Sequence, residues 1–478
     1  MRTSSPYASG KTGNAGAIAS PVLKHWNAED AVFWESEGRA IASRNLWISI
    51  PALMLAFAVW MVWSAVVVNL PYVGFKFTTR ELFWLAALPS LCGATLRIFY
   101  SFMVPVFGGR RWTAISTVLL LLPAIGIGFA VRDPGTSYST LVLLALACGL
   151  GGGSFASSMS NINFFFPKTQ KGTALGLNAG LGNLGVSLAQ FVVPAVITLG
   201  IFGALGGEPQ TWTRGTEVRQ MWLQNAGFIW VPLIVLCTLA AWFGMNDLVT
   251  AKASFSEQAV IFKRKHCWIM CWLYLGTFGS FIGYSAGFPL LIQSQFPQAN
   301  ALSYAWLGPL IGALIRPLGG WLADKLGGAR VTLWTFAVMA AGVLGVLAFL
   351  PSGGQGGSFF GLLAMFMLLF AASGMGNGST FRMIPVIFLN QHLRGAAGRG
   401  PEAEERALRE ANTEAAAVLG FASAIGAFGG FFIPMSYGVS ISMSGAAHSA
   451  LAMFLVFYLV CIATTWWYYA RRRAPMPC

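Results

Sequence analysis

Continuous apolar runs of 18 or more residues recur along this chain, and no other feature constrains its fold as strongly. In water such runs aggregate. In a bilayer each crosses roughly 30 Å of hydrocarbon as a helix whose backbone polar groups bond within the segment. Twelve spans are predicted, near residues 46–70, 82–107, 112–131, 138–165, 172–200, 226–247, 267–293, 303–324, 331–350, 358–388, 412–437 and 447–470. The connections are short except for a polar stretch at 201–225, a linker at 248–266 and a charged loop at 389–411.

Charge gives the orientation. Of the 30 Lys and Arg, 22 fall in the tails and even-numbered connections, five in the odd-numbered connections and three inside spans. This asymmetry predicts that both termini face the cytoplasm. The net charge of +14 is then mainly a topology signal, with some attraction to anionic lipid, and implies no nucleic-acid partner. Only 10% of residues are charged, against about 25% in soluble chains, which excludes a water-soluble enzyme. The polar stretch before the first run lacks the pattern of a cleavable signal, and Cys478 is not placed for prenylation. The seven cysteines form no disulfide pattern. Cys267 and Cys271 share a helical face, but no His or carboxylate joins them, so they read as small apolar side chains, and neither metal nor cofactor is expected.

The sequence repeats. Arg97 is followed after 11 and 12 residues by Gly108 and Gly109 and after 14 by Arg111; Arg316 is followed at the same intervals by Gly327, Gly328 and Arg330. Gly176, Gly182 and Gly185 are echoed by Gly420, Gly426 and Gly429. The two offsets, 219 and 244, differ by 25 residues, which the 389–411 loop can absorb. The expected fold is all-α, with twelve transmembrane helices in two six-helix pseudo-symmetric halves joined by a cytoplasmic linker, the major facilitator architecture. The boundaries are a tail at 1–45, halves at 46–247 and 267–470, the linker at 248–266 and a tail at 471–478.

Arg97 and Arg316 carry the functional argument. Eleven residues at 1.5 Å per residue place each roughly 16 Å from its Gly-Gly turn, near the bilayer centre. A central Arg costs about 2.5–3.5 kcal/mol even on the lenient insertion scale. None of the 16 Asp and Glu is placed near the centre of a span, and the four His lie in tails, loops or span edges. Two readings follow. The guanidiniums brace the bundle through backbone carbonyls and water, or a transported anion is their partner, since a planar donor fork suits small oxyanions. Gly172, Gly176 and Gly180 share one face of the fifth span, extended by Gly182 and Gly185; Gly420, Gly426, Gly429 and Gly430 mark the eleventh. They read as close packing or as surfaces of a moving gate. A membrane enzyme is not expected, since no nucleophile–base pair lies at midplane depth.

The segments FASSMSNINFFFPK and GTALGLNAGLGNLGVSLAQ, with TFGSFIGYSAGF (277–288) and GFASAIGAFGGFFIP (420–434), resemble the nitrate/nitrite porter family of the major facilitator superfamily. RNLWIS (44–49) and SFMVPVFGGRRWT (101–113) resemble its NarK-type nitrate/nitrite antiporters. The resemblance implies that Arg97 and Arg316 are paired anion ligands, that Tyr274 and Asn183 donate hydrogen bonds, and that Phe155 and Phe278 sandwich the flat anion. Gly320, Asp324, Lys325 and Arg330 resemble the superfamily's cytoplasmic gate motif, whose first-half counterpart near Gly108–Arg111 lacks the Asp. Ala179 stands where relatives can have Gly. Arg382 departs from the family; it reads as a vestibule charge or as a side chain snorkelling to the interface.

The implied function is exchange of external nitrate for internal nitrite across a bacterial inner membrane by a monomer. Proton-coupled nitrate symport is the alternative within the fold. A nitrate sensor, or a partner of a respiratory nitrate reductase, is the alternative of another class, suggested by the N-terminal tail and the 389–411 loop.

Overall fold

The computed structural model describes residues 21–249, 259–351 and 356–478. Part of the expected N-terminal tail (1–20) and part of the linker (250–258) lie outside the described residues. Among the described residues, twelve helices are long and apolar enough to cross a membrane: α1 Ala31–Val66, α2 Thr79–Tyr100, α3 Gly109–Ala130, α4 Tyr138–Phe165, α5 Lys168–Val196, α6 Asn225–Gly244, α7 Lys265–Gln295, α8 Ala301–Leu326, α9 Gly328–Phe349, α10 Phe359–Ala396, α11 Pro401–Ser444 and α12 His448–Ala470. Two short pairings accompany them. β1 (Val22–Leu23) lies parallel to β4 (Asp247–Leu248), and β2 (Gln210–Arg214) forms an antiparallel hairpin with β3 (Glu217–Met221).

Helix extends beyond two of the expected spans. Ahead of the expected start of the first span at 46, residues 31–45 are already helical. Asp30 caps a helix at Ala31, its carboxylate accepting from Val32 and Phe33, and that helix runs on into α1. Ahead of it, Trp26 packs against Phe165 and β1 straps residues 21–23 to the end of the first half. The 389–411 loop is likewise mostly helix. α10 continues to Ala396 and α11 begins at Pro401, leaving 397–400 as the turn. Relative to the repeat, α10 ends 12 residues later than α4 and α11 starts 11 residues earlier than α5. At 1.5 Å per residue the extension stands roughly 16–18 Å proud of its counterpart. With two extra turn residues this accounts for the whole 25-residue offset difference. Its base is fixed by Glu414, which accepts both Arg264 Nε (2.9 Å) and Nη2 (2.7 Å) and lies 3.2 Å from His392 Nε2.

The repeat is visible in backbone detail. Gly108 and Gly327 sit at φ +89° and +90°, the left-handed side that favours glycine, where the chain turns into α3 and α9. At the first turn Asp247 accepts from the backbone N–H groups of Arg110 (2.8 Å) and Arg111 (3.3 Å). The carboxylate absent from the first-half motif is thus supplied from beyond α6, at the positive end of α3. In the second half the carbonyl of Cys478 accepts from Ala329 N at 3.1 Å, filling the same place.

The halves meet unequally. On the side away from the termini, Ser187 Oγ donates to Trp306 O (2.8 Å), Gln190 Nε2 to Ser285 O (2.6 Å) and Gln293 Nε2 to Val68 O (2.9 Å). Phe191 packs edge-on to Trp306, and Phe83 lies beside Tyr437. On the side bearing the termini, a methyl group placed on Gly172, Gly176, Gly180 or Gly420 would meet nothing within 4 Å. These polar contacts tie the halves on the far side, while on the near side the faces at these four glycines have open space beside them.

Candidate anion site at the centre of the bundle

Arg97 and Arg316 are buried, 1% and 7% exposed. The sequence places them here through the glycines around them. The close approach of α2 to α4 at Gly93 and Gly152 seats the indole of Trp60. Arg97 Nε donates to Gly152 O at 2.7 Å. Its Nη1 donates to Ser423 O of α11 at 3.0 Å, so this guanidinium already bridges the two halves. Four rings surround it, with centroids 4.8 Å (Phe155), 5.1 Å (Phe278), 5.1 Å (Trp60) and 5.8 Å (Phe57) from Cζ. Arg316 is less tied. Its Nη2 donates to the Tyr274 hydroxyl at 3.5 Å and its Cζ lies 5.4 Å from the Phe381 ring.

Charge is incompletely met at both. Arg97 Nη2 and Arg316 Nη1 are buried without a hydrogen-bond acceptor. Among the described residues no carboxylate forms a salt bridge with either. Bracing by backbone carbonyls accounts for two of the Arg97 donors and leaves the rest of the charge uncompensated. Asn183 is fully buried, and neither its amide nitrogen nor its oxygen has a partner. A buried polar group left unmade costs about 1–3 kcal/mol, and a bound anion at the two guanidiniums would relieve that cost for Arg97 Nη2 and Arg316 Nη1.

The aromatic pair is positioned by a local widening of α7. Leu275–Gly279 is a π-helical turn, a distortion frequent at functional sites. It stacks Tyr274 on Phe278 at 5.4 Å and sets Phe278 opposite Phe155 at 6.4 Å, 26° from parallel. Gly426 permits this, since a methyl group there would sit 2.9 Å from Tyr274 and 3.1 Å from Phe278. A planar anion between two rings needs roughly 7 Å, twice a carbon van der Waals contact. The rings must part by about half an ångström to admit one.

The structure brings Arg97, Arg316, Tyr274, Phe155 and Phe278 together. Asn183 shows no direct contact with either arginine. The glycines divide in the same way in both halves. Gly182 and Gly185 pack against Leu53 and Met54 of α1, and Gly426 and Gly429 against Tyr274 and Gly279 of α7, while Gly176 and Gly420 face the open space. Gly172 and Gly180 face it too, so that part of the expected close-packed face of α5 has no neighbour in this state. In the gate motif Asp324 forms an ion pair with Arg382 of α10, and Lys325 lies 4.1 Å from the Trp321 ring. Arg382 is thus a half-exposed charge paired with the gate motif and not a free vestibule charge. A methyl group placed on Gly320 would lie 3.9 Å from Gly378 O, and Arg330 lies at the start of α9 beside Val331.

Residue-by-residue reasoning missed Phe57, Trp60, Phe381 and the Ser423 carbonyl. The run Gly149, Gly151, Gly152 and Gly153 was the available signal for Trp60, since it marks where α4 closes on α1 and α2.

The Major Facilitator Superfamily model matches residues 52–399. The chain is 53% identical over 455 residues to the nitrate/nitrite transporter NarU of Salmonella typhimurium, covering 95% of this chain and 97% of that one. It is 42% identical over 462 residues to the probable nitrate/nitrite antiporter NarK2 of Thermus thermophilus, covering 95% and 98%. Among solved structures it resembles a D-xylose–proton symporter with a TM-score of 0.64 at 15% identity, covering 89% of this chain and 97% of that one, a likeness of fold alone. The chain therefore belongs to the major facilitator superfamily and, within it, to the NarK-type nitrate/nitrite porters.

Proposed function

We propose that this chain carries nitrate and nitrite across the bacterial inner membrane, and that it does so by exchange. The observation that supports this most is the pair of buried guanidiniums, each with an unpartnered donor, placed across the interface of the two halves beneath Phe155 and Phe278. The named substrates of the relatives fit that chemistry, since both anions are small, flat and singly charged. In this reading the termini are cytoplasmic and the structure is open to the cytoplasm.

The cycle follows from charge. An anion from the open side displaces water from Arg97 Nη2 and Arg316 Nη1 and slides between the rings. Asn183 supplies a neutral donor from α5. With the charge compensated, closing the dry cavity is less costly, and α5 and α11 approach through the small faces at Gly172, Gly176, Gly180 and Gly420. The contacts at Ser187, Gln190 and Gln293 then part on the outer side. An unloaded carrier faces the same closure with two charges unmet. A bias of about 5.5 kcal/mol toward closure with anion bound shifts populations about 10⁴-fold. Each half-cycle then needs an anion, which is obligatory exchange. Nitrate entering and nitrite leaving would follow their gradients. Proton coupling would need a titrating group along the path, and the buried site offers only arginine, asparagine and tyrosine.

Counterflow in proteoliposomes tests this. Labelled nitrate should accumulate when nitrite or nitrate is inside, and should ignore an imposed pH gradient. Accumulation driven by the pH gradient into vesicles without internal anion would replace exchange by symport.

A further inference from the structure

On the side away from the termini, the β2–β3 hairpin hangs over the seam between the halves. Its register sets Trp212 opposite Arg219 and Arg214 opposite Glu217. Alternation puts all four on one face, and all four line a cavity of about 520 Å³. The opposite wall comes from the second half, through Gln293 and the α7–α8 connection. The hairpin itself is fastened to the first half. Leu223 N donates to Gln210 Oε1 at 3.0 Å, and Trp212 packs on Tyr72 with ring centroids 5.1 Å apart. It reaches the second half through Arg214, whose Nη2 donates to Ala299 O at 3.4 Å.

The donor chemistry facing the cavity is unusual for this side of the molecule. Arg219 Cζ lies over the Trp212 ring at 3.9 Å from its centroid, and Arg214 Cζ lies over the Tyr72 ring at 5.5 Å. Stacking holds each guanidinium plane while leaving its edge donors free. Neither forms a salt bridge with Glu217 among the described residues. The Trp212 Nε1–H is buried and has no acceptor.

We propose that this cavity is an outer receiving site for a small monovalent oxyanion, with Arg214 and Arg219 as its charged ligands and the Trp212 indole N–H as a neutral donor. The proposal rests on the transport reading above and adds a second station to it. Glu217 leaves the cavity-facing side chains with one net positive charge, so an anion is gathered without being trapped. When the halves part on this side, Ala299 moves away with the second half. The Arg214 donors it held then turn to the arriving anion, above a path that leads past Gln190 to Asn183. The site serves entry from outside and has no part in entry from the termini side.

The test compares the two faces of the full-length carrier. Labelled nitrate uptake is measured in right-side-out and inside-out membrane vesicles for the wild type, for R214Q/R219Q and for R214K/R219K. Measurements are made at about 0.01 M and about 0.5 M ionic strength, where exposed charges are felt and screened respectively. The glutamine variant should raise the outer-face KM about three- to tenfold at low salt. The gap should close at high salt, with the inner-face KM and the maximal rate unchanged. The lysine variant should recover the low-salt outer KM. An unchanged outer KM at low salt, or equal shifts at both faces, would overturn the proposal. Absence of nitrate exchange in the wild type would instead refute the transport reading, and the receiving site with it.

Discussion

Replacing Arg97 by lysine keeps the charge and removes the geometry, so it separates electrostatic from directional binding. The guanidinium spends Nε on Gly152 O at 2.7 Å and Nη1 on Ser423 O at 3.0 Å, and still has Nη2 to offer. A lysine ammonium is one point with three donors, and it cannot span two carbonyls on different helices and an anion together. Either the anion contact or one carbonyl contact is lost. A hydrogen bond to a charged group is worth about 1.5–3 kcal/mol, and each 1.4 kcal/mol is tenfold. The exchange rate at limiting nitrate should therefore fall about 10- to 100-fold. The four rings around Cζ still accommodate a cation, so protein yield and apparent melting midpoint should change little. The assay is counterflow of labelled nitrate at matched protein per vesicle, beside thermal unfolding in detergent. A lysine variant retaining more than half of wild-type exchange would show that charge alone suffices and that the fork is irrelevant.

Other consequences are more local. Gly176→Leu should leave the melting midpoint near wild type, because nothing stands within 4 Å of its Cβ position, yet should abolish most counterflow by blocking the closed-inside state; loss of folding would contradict this. Asn183→Leu removes two unpartnered buried polar atoms, so thermal unfolding should show stability rising by about 1–3 kcal/mol while the nitrate KM increases. A parallel loss of stability would mean the carboxamide has a structural role. Asp247→Asn weakens the cap on α3 and its ion pairs with Arg110 and Arg111, and should cost about 1–3 kcal/mol, read as a lower unfolding midpoint with unchanged nitrate KM.

Hydropathy gave all twelve spans and the duplicated arginines gave the pseudo-symmetry, because both are written in local composition and spacing. Helix outside the hydrocarbon is silent to that reading. Glu35, Glu37 and Arg39 hid the start of α1, and the charges of 394–410 hid the extension of α10 and α11. Contacts through backbone were equally invisible. Nothing in the letters says that Ser423 O accepts from a residue 326 positions earlier, or that Asp247 serves the turn at Gly108. The glycine faces were legible as small surfaces, but which of them touch depends on the state of the seam. Gly182 and Gly185 pack within a half, while Gly172 and Gly176 have nothing within 4 Å of a Cβ position and lie on the surface that the proposed cycle closes.

The most direct measurement is an experimental structure with nitrate bound, at a resolution that separates a planar anion from water. The account predicts one flat density between the Phe155 and Phe278 rings, within hydrogen-bond distance of Arg97 Nη2 and Arg316 Nη1. Nitrate seated elsewhere, or either guanidinium engaged by a protein carboxylate, would contradict it.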